Sequence, residues 1–179
     1  TRDGLVIATG GGIVLNPDGS SAGAGVKVQI SFGPDYVLTT DTNGFFDTQV
    51  KIPVGGYTLE ADDLLSGLVG RSSATVAAGI TNFAEVRLLA KGGLGVTVLK
   101  GDGTPAAGAQ VEGTQGTYPY DRYQGTTDTN GVALFLNVFE GQYAVCAQLQ
   151  SGPTRVFGRT AATVAPGQTA SVQVRLTPT

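Results

Sequence analysis

The chain has 179 residues, a formal net charge of −3, 28 Gly, one Cys, and no His, Met or Trp. Charged residues are only 14%, against about 25% in an average soluble protein. These values exclude a Ser-His-Asp triad, a Cys-His pair and a His-ligated metal, and one thiol closes neither an internal disulfide nor a thiolate zinc site. There is no basic footprint for nucleic acid, and no apolar run approaches the roughly 20 residues that span a bilayer.

An internal repeat organises the chain. Asp41-Thr42-Asn43-Gly44 returns as Asp128-Thr129-Asn130-Gly131, 87 positions on. Arg71 to Gly79 (RSSATVAAG) returns as Arg159 to Gly167 (RTAATVAPG), and Val86-Arg87-Leu88 as Val174-Arg175-Leu176, both 88 positions on. The expected organisation is therefore an orphan strand over 1–9, a first domain over 10–91 and a second over 92–179, joined near Lys91-Gly92-Gly93.

In chain order, the orphan segment holds Leu5-Val6-Ile7, a run of β-formers with no place in the two-copy count. It reads as the end of a preceding repeat or as a donor strand for another molecule. With Thr1 at its head and no signal peptide, the sequence is expected to be a mature or excised piece. Short segments of period-two alternation then predict strands at 12–16, 25–31, 36–41, 44–50, 56–62, 69–77 and 81–90. Tyr57, Leu59 and Ala61 share one face of such a segment, with Thr58 and Glu60 on the other. In the second copy the strands are predicted at 94–100, 108–114, 121–128, 131–138, 142–149, 155–164 and 168–177. Asn43-Gly44 and Asn130-Gly131 predict hairpins with primed turns.

Seven short strands per copy predict an all-β protein of two tandem seven-stranded Greek-key sandwiches, immunoglobulin/transthyretin-like. The expected core is Val26, Val28, Tyr57, Leu59, Val76, Val86 and Leu88 in the first. In the second it is Val96, Val98, Val111, Leu134, Tyr143, Val145, Val164, Val174 and Leu176.

Gly25-Val26-Lys27-Val28, Thr40-Asp41-Thr42-Asn43-Gly44-Phe45, Gly56-Tyr57-Thr58-Leu59 and Val86-Arg87-Leu88 have counterparts in the second copy. These are Gly108-Ala109-Gln110-Val111, Thr127-Asp128-Thr129-Asn130-Gly131-Val132, Gly141-Gln142-Tyr143-Ala144-Val145 and Val172-Gln173-Val174-Arg175-Leu176. In these segments each copy resembles the carboxypeptidase regulatory-like domain, a transthyretin-like sandwich, and is similar to B-type repeats of bacterial adhesins. The resemblance implies spacer, stalk and adhesive modules of exported bacterial proteins, or domains appended to enzymes. Some such repeats carry a Lys-Asn isopeptide bond. Here the last strands offer only Asn82 and the first strand of copy one has no Lys, so none is expected.

Candidate sites are few. Tyr118, Tyr120, Arg122 and Tyr123 fall where copy two is longer than copy one, and tyrosines with an arginine suit a binding patch. Cys146, aligned with Glu60, is expected to face outward as an interface thiol. Asp18, Asp41, Asp47, Asp62 and Asp63 carry oxygen ligands that calcium takes, but turn chemistry explains them. No catalytic residue, cofactor or metal is expected. The reading is a non-enzymatic structural module of an extracellular or cell-surface protein: a fibre or pilus subunit, stalk or adhesin repeat. Residues 1–9 are expected to pair with a sheet edge, either on the first domain or on a second chain; in the second case the module polymerises by β-strand addition, and its expected partners are copies of itself or adjacent repeats. The alternatives are a glycan- or protein-binding module using the Tyr118–Tyr123 loop, or an accessory domain of a secreted enzyme.

Overall fold

A computed structural model describes residues 7–8, 10–31, 36–48 and 52–178, and these form strands, turns and loops with no helix. The chain divides into two compact units, Thr1–Leu89 and Ala90–Thr179. Lys91, Gly92 and Gly93 begin the first strand of the second unit.

The first unit contains β1 (Ile7–Ala8), β2 (Gly10–Leu15), β3 (Lys27–Ser31), β4 (Tyr36–Thr39), β5 (Phe45–Asp47), β6 (Ile52–Pro53), β7 (Gly55–Asp63), β8 (Leu68–Val76) and β9 (Asn82–Arg87). Its sheets run β5-β2-β9 and β4-β3-β7-β8, with β1 and β6 as a separate short pair. The second unit contains β10 (Lys91–Leu99), β11 (Gln110–Gln115), β12 (Arg122–Thr126), β13 (Val132–Phe139), β14 (Gly141–Ser151), β15 (Thr154–Val164), β16 (Thr169–Arg175) and β17 (Thr177–Pro178). Its sheets run β13-β10-β16 and β12-β11-β14-β15-β17. Each unit is a Greek-key sandwich. In both, the first core strand lies between the fourth and the last in the smaller sheet.

That first-to-last pairing is parallel. Gly10 through Leu15 pair with Asn82 through Arg87, and Gly93 through Leu99 pair with Thr169 through Arg175. The last strand then crosses to the other sheet. Leu88 donates its amide to Leu15, whereas the next residue, Leu89, donates to Val69 at the edge of the larger sheet. Leu176 and Thr177 repeat the step, onto Leu99 and Phe157. The crossing needs close backbone approach. A Cβ at Gly70 would lie 2.4 Å from the Arg87 carbonyl oxygen, and one at Gly158 would lie 2.5 Å from that of Arg175. Only glycine fits at either corner.

Between the sheets, Val14, Val28, Leu59, Val86 and Leu88 fill one core, and Leu94, Val96, Val98, Val145, Val174 and Leu176 fill the other, all 3% exposed or less. Burying such a side chain contributes about 1.5–3 kcal/mol. Tyr57 and Tyr143 are buried too, and each donates its hydroxyl to the backbone four residues upstream, Pro53 at 2.5 Å and Phe139 at 2.8 Å. This is the tyrosine corner of Greek-key sandwiches.

Leu134 corrects the expected core, being 58% exposed. Asn137 adopts a φ of 57°, and the pairing of β10 slips from Gly92↔Val138 to Gly93↔Leu136. Asn137 is the extra residue of a β-bulge, which breaks the period of two. Ala133 and Val138 therefore face inward, and Leu134 and Leu136 face out.

The Asn-Gly turns also differ from expectation. Gly44 and Gly131 have φ of 78° and 74°, but neither Asn43 nor Asn130 has positive φ, so the turns are not primed. The Asp41 carbonyl accepts the Gly44 amide at 2.9 Å, and its carboxylate caps the amides of Asn43 and Phe45. Asp128 does the same for Asn130 and Val132. This is a type I turn closed by a left-handed glycine. It steps from β4 to β5, and from β12 to β13, which lie in opposite sheets.

A Cβ at Gly131 would stand 2.7 Å from the Val98 carbonyl and 3.0 Å from the Ala106 amide. Gly131→Val is expected to destabilise the second unit by at least the roughly 1–3 kcal/mol of a strained backbone position. Chemical denaturation of the intact chain checks this; an unchanged midpoint contradicts the turn assignment.

Candidate functional site

The tyrosine-rich segment does not present its four side chains together. Residues 117–120 form a tight turn, with the Tyr120 amide on the Thr117 carbonyl at 2.7 Å and a cis bond at Tyr118-Pro119. Tyr120 is 58% exposed. Arg122 and Tyr123 are consecutive on β12, so they point to opposite faces. Arg122 lies outside, in an ion pair with Glu112. Tyr123 lies half-buried against the core, its ring centroid 6.4 Å from Phe135 and 6.1 Å from Tyr143. Its hydroxyl donates to Asp121 at 2.9 Å. Burial, aided by that hydrogen bond, pushes the Tyr123 hydroxyl up to about 12, and burial raises Tyr143 as well.

Of the orphan segment, Leu5 and Val6 lie outside the described residues. Ile7 and Ala8 form β1, which pairs antiparallel with Pro53 and Ile52 of the same chain. The acidic turns serve the backbone: Asp18 accepts from Ser20, Asp63 from Leu65 and Ser66, and Asp102 from Thr104. Hydrogen bonds from Ser20 and Thr104 hold Asp18 and Asp102 below the usual carboxylate range. Among the described residues, no three His, Cys, Asp or Glu side chains converge on one point. Asn82 is occupied locally, bonding both backbone groups of Ala77.

Cys146 is exposed on β14. Its neighbours across the sheet are Glu112 on β11 and Arg159 on β15, with Gln124 beyond Glu112. The adjacent row is Thr126, Gln110, Gln148 and Phe157. These two rows line a shallow hollow of about 560 Å³ on the outer face of the larger sheet. The equivalent row of the first unit is Gln29, Glu60 and Arg71. There Glu60 and Arg71 form an ion pair. In the second unit Cys146 replaces the glutamate, the site is hollow, and Arg159 has no ion-pair partner among the described residues. Glu112 is turned the other way, held by Arg122, Gln124 and Thr114, and the first two hold its carboxyl below the usual range. Gln110, Gln148, Phe157 and Arg159 carry no motif; the signal in the sequence is the Glu60-to-Cys146 exchange beside a retained arginine.

No known family model matches the chain, and no curated protein matches it. Solved structures do. The minor pilin of the gram-positive pathogen Streptococcus agalactiae superposes with a TM-score of 0.61 at 15% identity, over 96% of this chain and 97% of that one. A streptococcal ancillary pilin superposes with a TM-score of 0.54 at 14% identity, over 99% of this chain; the chain spans 64% of that protein. At these identities the likeness establishes a shared fold.

The tyrosine environment has an alkaline consequence. The raised hydroxyls of Tyr57, Tyr123 and Tyr143 favour the protonated, folded state, so their contribution is complete below about pH 10, the unfolded value. It is lost as pH rises through about 12 for Tyr123. Absorbance titration of the 6 tyrosines is expected to show late steps from the buried hydroxyls of Tyr57, Tyr123 and Tyr143, and Tyr123→Phe is expected to remove one of them. Tyrosines that all titrate together contradict the packing.

Proposed function

We propose that the chain is a non-enzymatic structural module of an extracellular or cell-surface bacterial protein: a fibre or pilus subunit, stalk or adhesin repeat. The two units are copies of one module, of the carboxypeptidase regulatory-like kind. The observation that carries this reading is the parallel ladder between first and last core strands in both units. The chain enters each unit on one of these strands and leaves on the other. Tension along the chain then pulls the two strands in opposite directions along their shared axis. Every hydrogen bond of the ladder is loaded at once, instead of one by one from an end. That is the geometry of a tension-bearing link. The fold shared with two pilins supports the same reading.

Copies join by β-strand addition through residues 1–9. The segment Leu5-Val6-Ile7 supplies main-chain hydrogen bonds to a sheet edge, and a head-to-tail contact of this kind extends without closing. Among the described residues of this segment, Ile7 and Ala8 pair with Pro53 and Ile52, a two-residue contact to exchange between copies.

Electron microscopy of the intact protein and of a form lacking residues 1–9 tests the assembly. The intact protein is expected to form filaments and the truncated one to remain a folded monomer. Filaments that persist after truncation, or an intact chain that stays monomeric when concentrated, contradict strand addition.

A further inference from the structure

The hollow beside Cys146 goes beyond a structural role and does not depend on strand addition. We propose that the outer face of the larger sheet in the second unit binds a carboxylate-bearing glycan, an oligosaccharide containing a uronic or sialic acid residue. The argument starts from the difference between the two units. They share strand order and register, yet the first unit fills this position with the Glu60–Arg71 pair. Cys146 is too short to fill it, and Arg159 is exposed beside the hollow with no carboxylate partner among the described residues. An arginine presents fixed paired donors that match a carboxylate in plane. Glu112 does not compete, since it stands two strands away, roughly 10 Å, and its charge is matched by Arg122.

The remaining lining matches a sugar. Gln110, Gln124 and Gln148 each carry two amide N–H donors and a carbonyl oxygen acceptor, and only part of that capacity is used, in the Gln148–Gln110 and Gln124–Glu112 bonds. Such amides pair with vicinal hydroxyls, which are donor and acceptor alike. Phe157, 37% exposed at the rim, offers an aromatic face to the C–H side of a pyranose ring. The volume falls within the range of ligand sites, about 300–1,000 Å³. An acidic peptide meets the arginine equally well but leaves the amide rows and the ring face unused.

Titration of the intact chain with tri-galacturonate and with sialyllactose, followed by backbone NMR shifts, tests the proposal. Lactose, maltotriose and a glutamate-rich peptide are the comparators. At least one acidic glycan is expected to shift Gln110, Cys146, Gln148 and Arg159, and to bind more tightly than every comparator. Arg159→Gln is expected to weaken it by roughly ten- to a hundredfold, the worth of a charged hydrogen bond. Cys146→Glu is expected to do the same by rebuilding the ion pair of the first unit, in a position where glutamate is already tolerated there. Arg71→Gln is expected to leave binding unchanged. Absence of shifts with both acidic glycans, tighter binding of a neutral sugar or of the peptide, or full binding by Arg159→Gln overturns the proposal.

Discussion

The parallel ladder between the first and last core strands is the constraint on which each unit depends. It joins residues more than seventy positions apart, Gly10 with Asn82 and Gly93 with Thr169, so closing it carries a loop-entropy cost that the rest of the unit has to offset. It also holds the sheets together at one edge. After the ladder the chain steps from the smaller sheet to the larger, from Leu88 to Leu89 and from Leu176 to Thr177. Gly70 and Gly158 permit that step, because any side chain there collides with the arriving backbone. Tyr57 and Tyr143 fix a second corner from inside. The cores are modest, built largely from valine and leucine, and closure at the corners confines them.

Common closure leaves the outer faces free to differ. The larger sheet of the first unit carries an ion pair between Glu60 and Arg71, whereas the second carries Cys146 and Arg159 in the same register. The smaller sheets differ as well. Phe45 and Phe83, with ring centroids 6.2 Å apart, stand outside one, and Leu134 and Leu136 stand outside the other. The closure is common to both units, and the proposed ligand site rests on the differences between their outer faces.

Much of this was legible in the sequence, and the physics says which part. Period-two alternation placed the strands, since burial on one face dictates every second residue, as in Tyr57, Leu59 and Ala61. The turns were located correctly by Asp-x-Asn-Gly, but their type was not. Asn tolerates positive φ without requiring it, and the Asp41 and Asp128 carboxylates choose the type I geometry by capping the two amides that follow. Leu134 was misplaced because a bulge at Asn137 shifts the alternation by one, and no local pattern announces a bulge. The tyrosine-rich segment looked like a patch because side-chain direction on β12 depends on register. Arg122 and Tyr123 alternate by the strand period alone, and placing the strand beside β11 sets which of them faces the core. The hollow was encoded in the Glu60-to-Cys146 exchange, yet its meaning needs the neighbours that pairing brings from other strands.

The claim that the ladder makes each unit a tension-bearing link is tested most directly by pulling a single intact chain from its two ends. The account predicts two discrete unfolding events, each releasing roughly 30 nm at about 3.4 Å per extended residue. Each is predicted at a force far above that which unzips an antiparallel pair from its end. Gradual extension at low force, with no discrete events, contradicts it.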